Sequence, residues 1–304
     1  MRRGRPFYVS LAWTARDYVK RVWDNSGEDQ VLFLAGGIAF NIMLAAVPFV
    51  LLVAWGSTYV FGWFNSGLTG HEAVLDAIDN FLPLNQRGAD SEIHKMLEGL
   101  FNDRGKIGII GAVGFVWFST RLFGSLRTVL ANIFDIESER GIIEGKIFDV
   151  KITVLASILF VLSMAVTAYI SFMTSRGLTE LVARGLEKNV MSDLEYWIGR
   201  VLAFAILVSM FFALYKFLPI RRVRSSTAWV ASLFTGFMFE LAREVFTYYV
   251  AAFDPGSMYT GTLISIVVVV VWFYYAALIF ILGGEVGQVY ELRRTRKLQR
   301  EVFN

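Results

Sequence analysis

Residues 263–284 read LISIVVVVVWFYYAALIFILGG, twenty-two positions without one charged side chain. A run of five valines would suit a buried strand. A strand, however, needs only four to eight residues, and about 20 apolar residues cross the hydrocarbon core of a bilayer as a helix. In lipid every backbone N–H and C=O must find a partner within its own segment or in a closed barrel, so this stretch reads as a membrane-spanning helix. The rest of the chain agrees with it. Of 304 residues, 56% are hydrophobic and only 18% are charged, where soluble domains run near 25% charged.

Six stretches have the length and apolar content of a span, at about 31–62, 107–130, 152–174, 197–218, 226–251 and 261–286. Pro48 lies within the first, where a missing N–H and a ring clash predict a kink. Lys and Arg in the connecting segments set the orientation. Residues 1–30, the 2–3 and 4–5 loops and the tail together hold seventeen, and the opposite side holds seven. The richer side is the cytoplasmic one. The fold expected is therefore all-α: a polytopic membrane bundle of six helices with both termini in the cytoplasm. It has three parts: a basic amphipathic segment (1–30), a transmembrane domain (31–286) and a basic tail (287–304). No cleavable signal peptide is read in residues 1–30, so insertion is expected to begin with the first span.

Two amphipathic patterns occupy the outer loop between spans one and two. One runs through Val74, Ile78, Phe81 and Leu82, the other through Ile93, Met96, Leu97, Leu100 and Phe101. Pro83 and NQRGAD separate them. Both read as short helices on the membrane surface, capping the bundle or gating an outer cavity.

Composition excludes several chemistries. With no cysteine and only His71 and His94, disulfides, thiolate sites and imidazole-rich metal centres are ruled out. A net charge of +3 does not make a nucleic-acid surface. No ATP-binding P-loop is present. No cofactor, no nucleic acid and no enzymatic activity are expected.

Function is therefore sought among polar groups at membrane depth, which are costly there and mark pathways or internal staples. In span two, FVWFSTRLFGSLRTVLANIF (115–134) carries Arg121 about 21 Å from the outer end and Arg127 near the inner interface. Ser125 and Thr128 extend Arg121 into a stripe expected to face the bundle. Glu285, arriving at the inner boundary on span six, is the candidate counter-charge for either arginine. In span five, FELAREVF (239–246) sets Glu240, Arg243 and Glu244 on one face, and Arg200 of span four lies at similar depth. These four predict an outer network, either a staple between spans or a lining for a solute. Asn41 in span one is expected to bond across helices or line a wet cavity. Gly108, Gly111 and Gly114, and the pair Gly283 and Gly287, would let helices approach closely.

These features resemble the YihY/BrkB family of bacterial inner-membrane proteins, once labelled ribonuclease BN. The resemblance runs from about residue 19 to 291. It is carried by FLAGGIAFNIMLAAVPF (33–49), GFVWFSTRLFGSLRTVLANIFDI (114–136), LYKFLPIRRVRSSTAWVASLFTGFMFELAREVF (214–246) and MYTGTLISIVVVVVWFYYAALIFILGGEVGQVY (258–290). The first motif departs from the family at Phe40-Asn41, where an aromatic pair is usual. The resemblance implies six spans with both termini inside, and a transporter or an envelope factor. The nuclease label fits badly, since a metal-dependent ribonuclease needs clustered His and Asp ligands. The function expected is secondary or passive transport, or flipping, of an anionic or amphiphilic lipid-like solute. A non-transporting envelope scaffold or assembly factor is the alternative. Membrane lipids are the expected partners, with a homo-oligomer possible.

Overall fold

The computed structural model describes residues 7–64, 104–136, 144–152, 154, 188–219, 221, 223–251 and 258–302. Among the described residues all regular structure is helical. Six long helices follow one another: α1 (Phe7–Glu28), α2 (Val31–Phe64), α3 (Arg104–Ile133), α4 (Lys188–Phe217), α5 (Ser225–Ala251) and α6 (Met258–Val302). A further helical segment covers residues 144–152. The two amphipathic patterns of the outer loop and most of the third stretch lie outside the described residues.

Three helices contain windows long and apolar enough to cross a membrane: Val31–Phe49 in α2, Gly199–Phe217 in α4 and Ile266–Arg296 in α6. α3 and α5, at 30 and 27 residues, are also long enough to cross but carry the charges that interrupt their apolar runs. α2 continues through Pro48 to Phe64. Gly114 of α3 faces that proline, and a Cβ there would stand 3.3 Å from the ring.

The sixth helix is the hub, since α5, α2, α1 and α3 all pack on it, while α2 with α3 and α4 with α5 form the other large contacts. Small residues permit the tightest approach. A Cβ on Gly287 would meet Ala231 Cβ at 3.1 Å, and one on Gly283 would overlap the hydroxyls of Thr235 and Tyr215. The Gly283–Gly287 pair therefore serves packing of α6 on α5 within the chain. Beside it Tyr215 stacks on Phe280 at 4.9 Å, bonds Thr235 Oγ1 at 2.7 Å and donates to the Phe280 carbonyl at 2.5 Å.

Two helix ends among the described residues turn on a left-handed residue. Gln30 adopts a left-handed backbone (φ 50°) between α1 and α2. Asp135 does the same (φ 49°) after α3, where Ile136 N–H bonds to Ala131 O and Asp135 N–H to Asn132 O. That pair of bonds is a Schellman cap, with aspartate in the place glycine usually takes.

The N-terminal helix docks on the bundle as well as carrying basic residues. The Tyr18 hydroxyl donates to the Val286 carbonyl, Arg293 stands 5.2 Å over the Tyr18 ring, and Asn25 reaches Gln288 at 2.9 Å. Val19 and Trp23 point outward.

Candidate functional site

The structure gathers the polar groups in four places. The first joins α2 and α3. Asn41 donates from Nδ2 to Ser125 Oγ at 2.7 Å and to the Gly37 carbonyl at 3.0 Å. Of the two expectations for Asn41, the bond across helices is the one seen.

The second place corrects the reading of the arginines. Arg121, with Thr128, is exposed and makes no ion pair among the described residues. The azimuth of α3 explains this. Ser119, Leu126, Leu130 and Ile133 are buried, and Arg121 sits nine residues before Leu130, about half a turn away at 100° per residue. Among the described residues Arg121 and Thr128 of the expected stripe face no neighbouring helix, while Ser125 at its edge reaches α2. Arg127 is instead the arginine that enters the protein. Its Nη2 donates to Asp149 Oδ2 at 3.2 Å, and Asp149 is 2% exposed. Two glycines make room for the pair. A Cβ on Gly145 would stand 3.1 Å from both Nη atoms of Arg127, and one on Gly124 would stand 3.2 Å from Asp149 Oδ2. Arg127 thus joins α3 to the helical segment at 144–152, with Asp149 rather than Glu285 as its counter-charge. Asp149 gave one signal in the sequence, as an acidic residue flanked by the apolar Ile147, Phe148 and Val150.

Glu285 pairs with neither arginine. It is buried, and the Asn25 amide is the donor beside it. Its neighbours form the third place, where α1, α3 and α6 meet. Gln288, one turn beyond Glu285, accepts from Asn25 Nδ2 at 2.9 Å and donates from Nε2 to Asp135 Oδ2 at 2.9 Å. The Asp29 carboxyl and the Asn25 amide face Glu285, with Asp135 close by. Nothing in the sequence linked these groups, because they come from three segments far apart in the chain: the end of α1 and its turn, the residue after α3, and the interior of α6.

The fourth place lies between α4 and α5. Arg200 Nη2 meets Glu244 Oε1 at 2.6 Å and Glu240 Oε1 at 3.6 Å, and Arg243 Nη2 meets Glu240 Oε1 at 2.6 Å. The expected quartet is thus assembled, with Glu240 held by two guanidinium groups. It borders an open groove of about 380 Å³ whose other walls are apolar, among them Trp197, Phe204, Phe237 and Leu241. Glu240 is only 21% exposed and Glu244 55%, so the inner carboxylate is the better shielded of the two. Among the described residues, no group of three His, Cys, Asp or Glu is arranged to hold a metal ion.

Residues 22–302 match the family described as Virulence factor BrkB. Relatives include a UPF0761 membrane protein of Alteromonas mediterranea, 24% identical over 98% of this chain and 97% of its own length. Another, from Pseudoalteromonas atlantica, is 25% identical over 91% of this chain and 87% of its own. A third, from Pelodictyon phaeoclathratiforme, is 27% identical over 80% of this chain. The chain spans about half the length of that third relative, 52% of which is matched. No solved structure matches the chain.

Proposed function

The chain belongs to the virulence factor BrkB family of membrane proteins, and from that premise we propose that it carries an anionic or amphiphilic, lipid-like solute across the bacterial inner membrane. In this reading the protein is multi-pass, with six spans and both termini in the cytoplasm, which the Lys and Arg distribution supports. Transport is secondary or passive.

The observation that carries the reading is the groove between α4 and α5. One border holds Arg200, Glu240 and Glu244, with Arg243 paired to Glu240 from outside the groove, and the facing wall is aromatic and aliphatic. An amphiphile has the same division, a charged head and an apolar tail. An anionic head can displace Glu240 from one of its two arginines, so that a bound solute replaces an ion pair without stranding a charge. Flux into proteoliposomes, measured over a panel of anions and labelled lipids, tests this. Folded wild-type protein should accelerate at least one of them, and Glu240→Gln should abolish that flux without lowering the yield of folded protein. Folded protein that moves nothing on the panel counts against transport.

The quartet's balance of two cations and two anions also suits a non-transporting envelope scaffold, in which it staples α4 to α5. Under that reading Glu240→Gln lowers stability and biological function in proportion.

A further inference from the structure

α1 divides its surface three ways. At about 100° per residue, Tyr18, Val22 and Asn25 share one flank, and all three are half-buried. This flank docks on α6, through the Tyr18 hydroxyl on the Val286 carbonyl and the Asn25 amide on Gln288. Asp17, Arg21, Asp24 and Glu28 make a second flank, exposed and acidic on balance. Arg16, Val19, Lys20 and Trp23 make the third, also exposed. Their spacing of i, i+3, i+4 and i+7 sets all four on one face. Its two apolar members are uncovered, Val19 being 67% exposed and Trp23 79%.

The direction of α1 follows from its contacts. Tyr18 and Asn25 are seven residues apart, about 10.5 Å along α1. A helix lying alongside α6 would move its contacts along α6 by the same length. Tyr18 instead meets α6 at Val286 and at Arg293, and Asn25 meets it at Gln288, between those two. α1 therefore runs across α6. The crossing lies just past Gly284, where the charge-free run 263–284 ends. With α6 as a membrane span, α1 lies along the membrane plane at the level of the lipid head groups.

We propose that the face of α1 formed by Arg16, Val19, Lys20 and Trp23 is a docking surface for anionic phospholipid, with Val19 and Trp23 entering the lipid and Arg16 and Lys20 reaching its phosphates. The charge pattern selects this occupant. Both cations flank the apolar pair, as in helices that lie on anionic membranes. Their long apolar stems let the charges rise to the head groups while the face beside them stays in lipid. The acids of α1, Asp17, Asp24 and Glu28, stand on the neighbouring flank, about a quarter turn away, and face water. An indole with one polar edge suits the boundary between the two. A second copy of the chain offers no such match, since its own face is equally basic. The surface lies on a different helix from the α4–α5 groove and stands whether or not the chain transports.

The chain has no cysteine, so Val19→Cys and Asp24→Cys each accept a single spin label on the full-length protein. Both positions are exposed, and neither label displaces a packed side chain. Power-saturation EPR in lipid nanodiscs compares access by oxygen, which concentrates in lipid, with access by a water-soluble nickel chelate. In phosphatidylcholine mixed with phosphatidylglycerol, the label at Val19→Cys should favour oxygen several-fold more than the label at Asp24→Cys. Adding Arg16→Gln and Lys20→Gln to Val19→Cys should shift that label towards water. Leaving out the phosphatidylglycerol should do the same without any further substitution. Equal access at the two positions overturns the proposal. So does a Val19→Cys label indifferent to phosphatidylglycerol, which would mark apolar contact without recognition of the head group. A label shielded from both reagents, or broadened by a neighbouring label, also overturns it, because protein then covers the face.

Discussion

Glycine to alanine in α6 should have the opposite sign from the same change in α2. In a helix interior alanine is favoured over glycine by about 1 kcal/mol. At Gly36 nothing lies within 4 Å of the added carbon, so Gly36→Ala should stabilise by about 0.5–1 kcal/mol. At Gly283 the new carbon lands on Thr235 Oγ1 and Tyr215 OH. Overpacking there costs about 1–3 kcal/mol. Displacing the Tyr215 hydroxyl from Thr235 and from the Phe280 carbonyl costs about 1 kcal/mol for each bond lost. Set against the same propensity gain, Gly283→Ala should destabilise by about 1–4 kcal/mol. Thr235→Ala removes one of the two blocking atoms, so the double variant should lose less than the sum of the singles, by about 1 kcal/mol or more. Reversible unfolding in mixed SDS micelles, followed by tryptophan fluorescence, measures all four chains. A Gly283→Ala protein as stable as Gly36→Ala, or strict additivity with Thr235→Ala, would refute the close packing of α6 on α5.

Arg127→Met should cost about 3–5 kcal/mol by leaving Asp149 buried without its cation, and Arg127→Met with Asp149→Leu should regain most of that loss; the same unfolding assay reads both. Asn41→Ala should cost about 0.6–1.7 kcal/mol, the range for polar contacts between membrane helices, and adding Ser125→Ala should cost little more, because both changes break one bond. Burial pushes the Tyr18 phenol up to about 12, with Arg293 opposing the rise. The folded chain therefore holds that proton more tightly than the unfolded chain, whose phenol titrates near 10. The stability it contributes is full below about pH 10 and is lost as pH rises through 12. The difference in stability between wild type and Tyr18→Phe, followed across that window, should fall with pH; a flat difference contradicts the burial.

What the sequence disclosed follows the range of the interactions involved. Apolar runs announced α2, α4 and α6 because lipid-crossing length is a property of one segment. Glu240 and Arg243 were legible for the same reason, being one turn apart on one helix. Arg200 was placed beside them by counting depth, which works because helices rise by a constant 1.5 Å per residue. Rotation about the helix axis has no such local rule. Which side of α3 turns inward depends on α2 and α6 packing against it, so it was not legible that Arg127 rather than Arg121 finds an acidic partner among the described residues. Arg127's partner lies in the next helical segment, behind two glycines whose role appears only once the chains are side by side. The acids at the α1–α3–α6 junction were hidden further, since Asp29 and Asp135 are reversal residues that look like ordinary loop polarity.

The length of α6 has a mechanical consequence. Its 45 residues make a rod of about 67 Å, more than twice the thickness of the hydrocarbon core. Gly283, where the rod is gripped against α5, lies about 28 Å from Val302. A tilt of about 5° at that grip sweeps the far end through roughly 2.5 Å, by the geometry of a rigid helix. The helix is in effect a lever with its fulcrum at a glycine. The Tyr18 and Asn25 contacts, at Val286 and Gln288, lie within about 8 Å of Gly283 along the rod, so α1 is fastened close to the grip and the arginines at 293–300 stand beyond it.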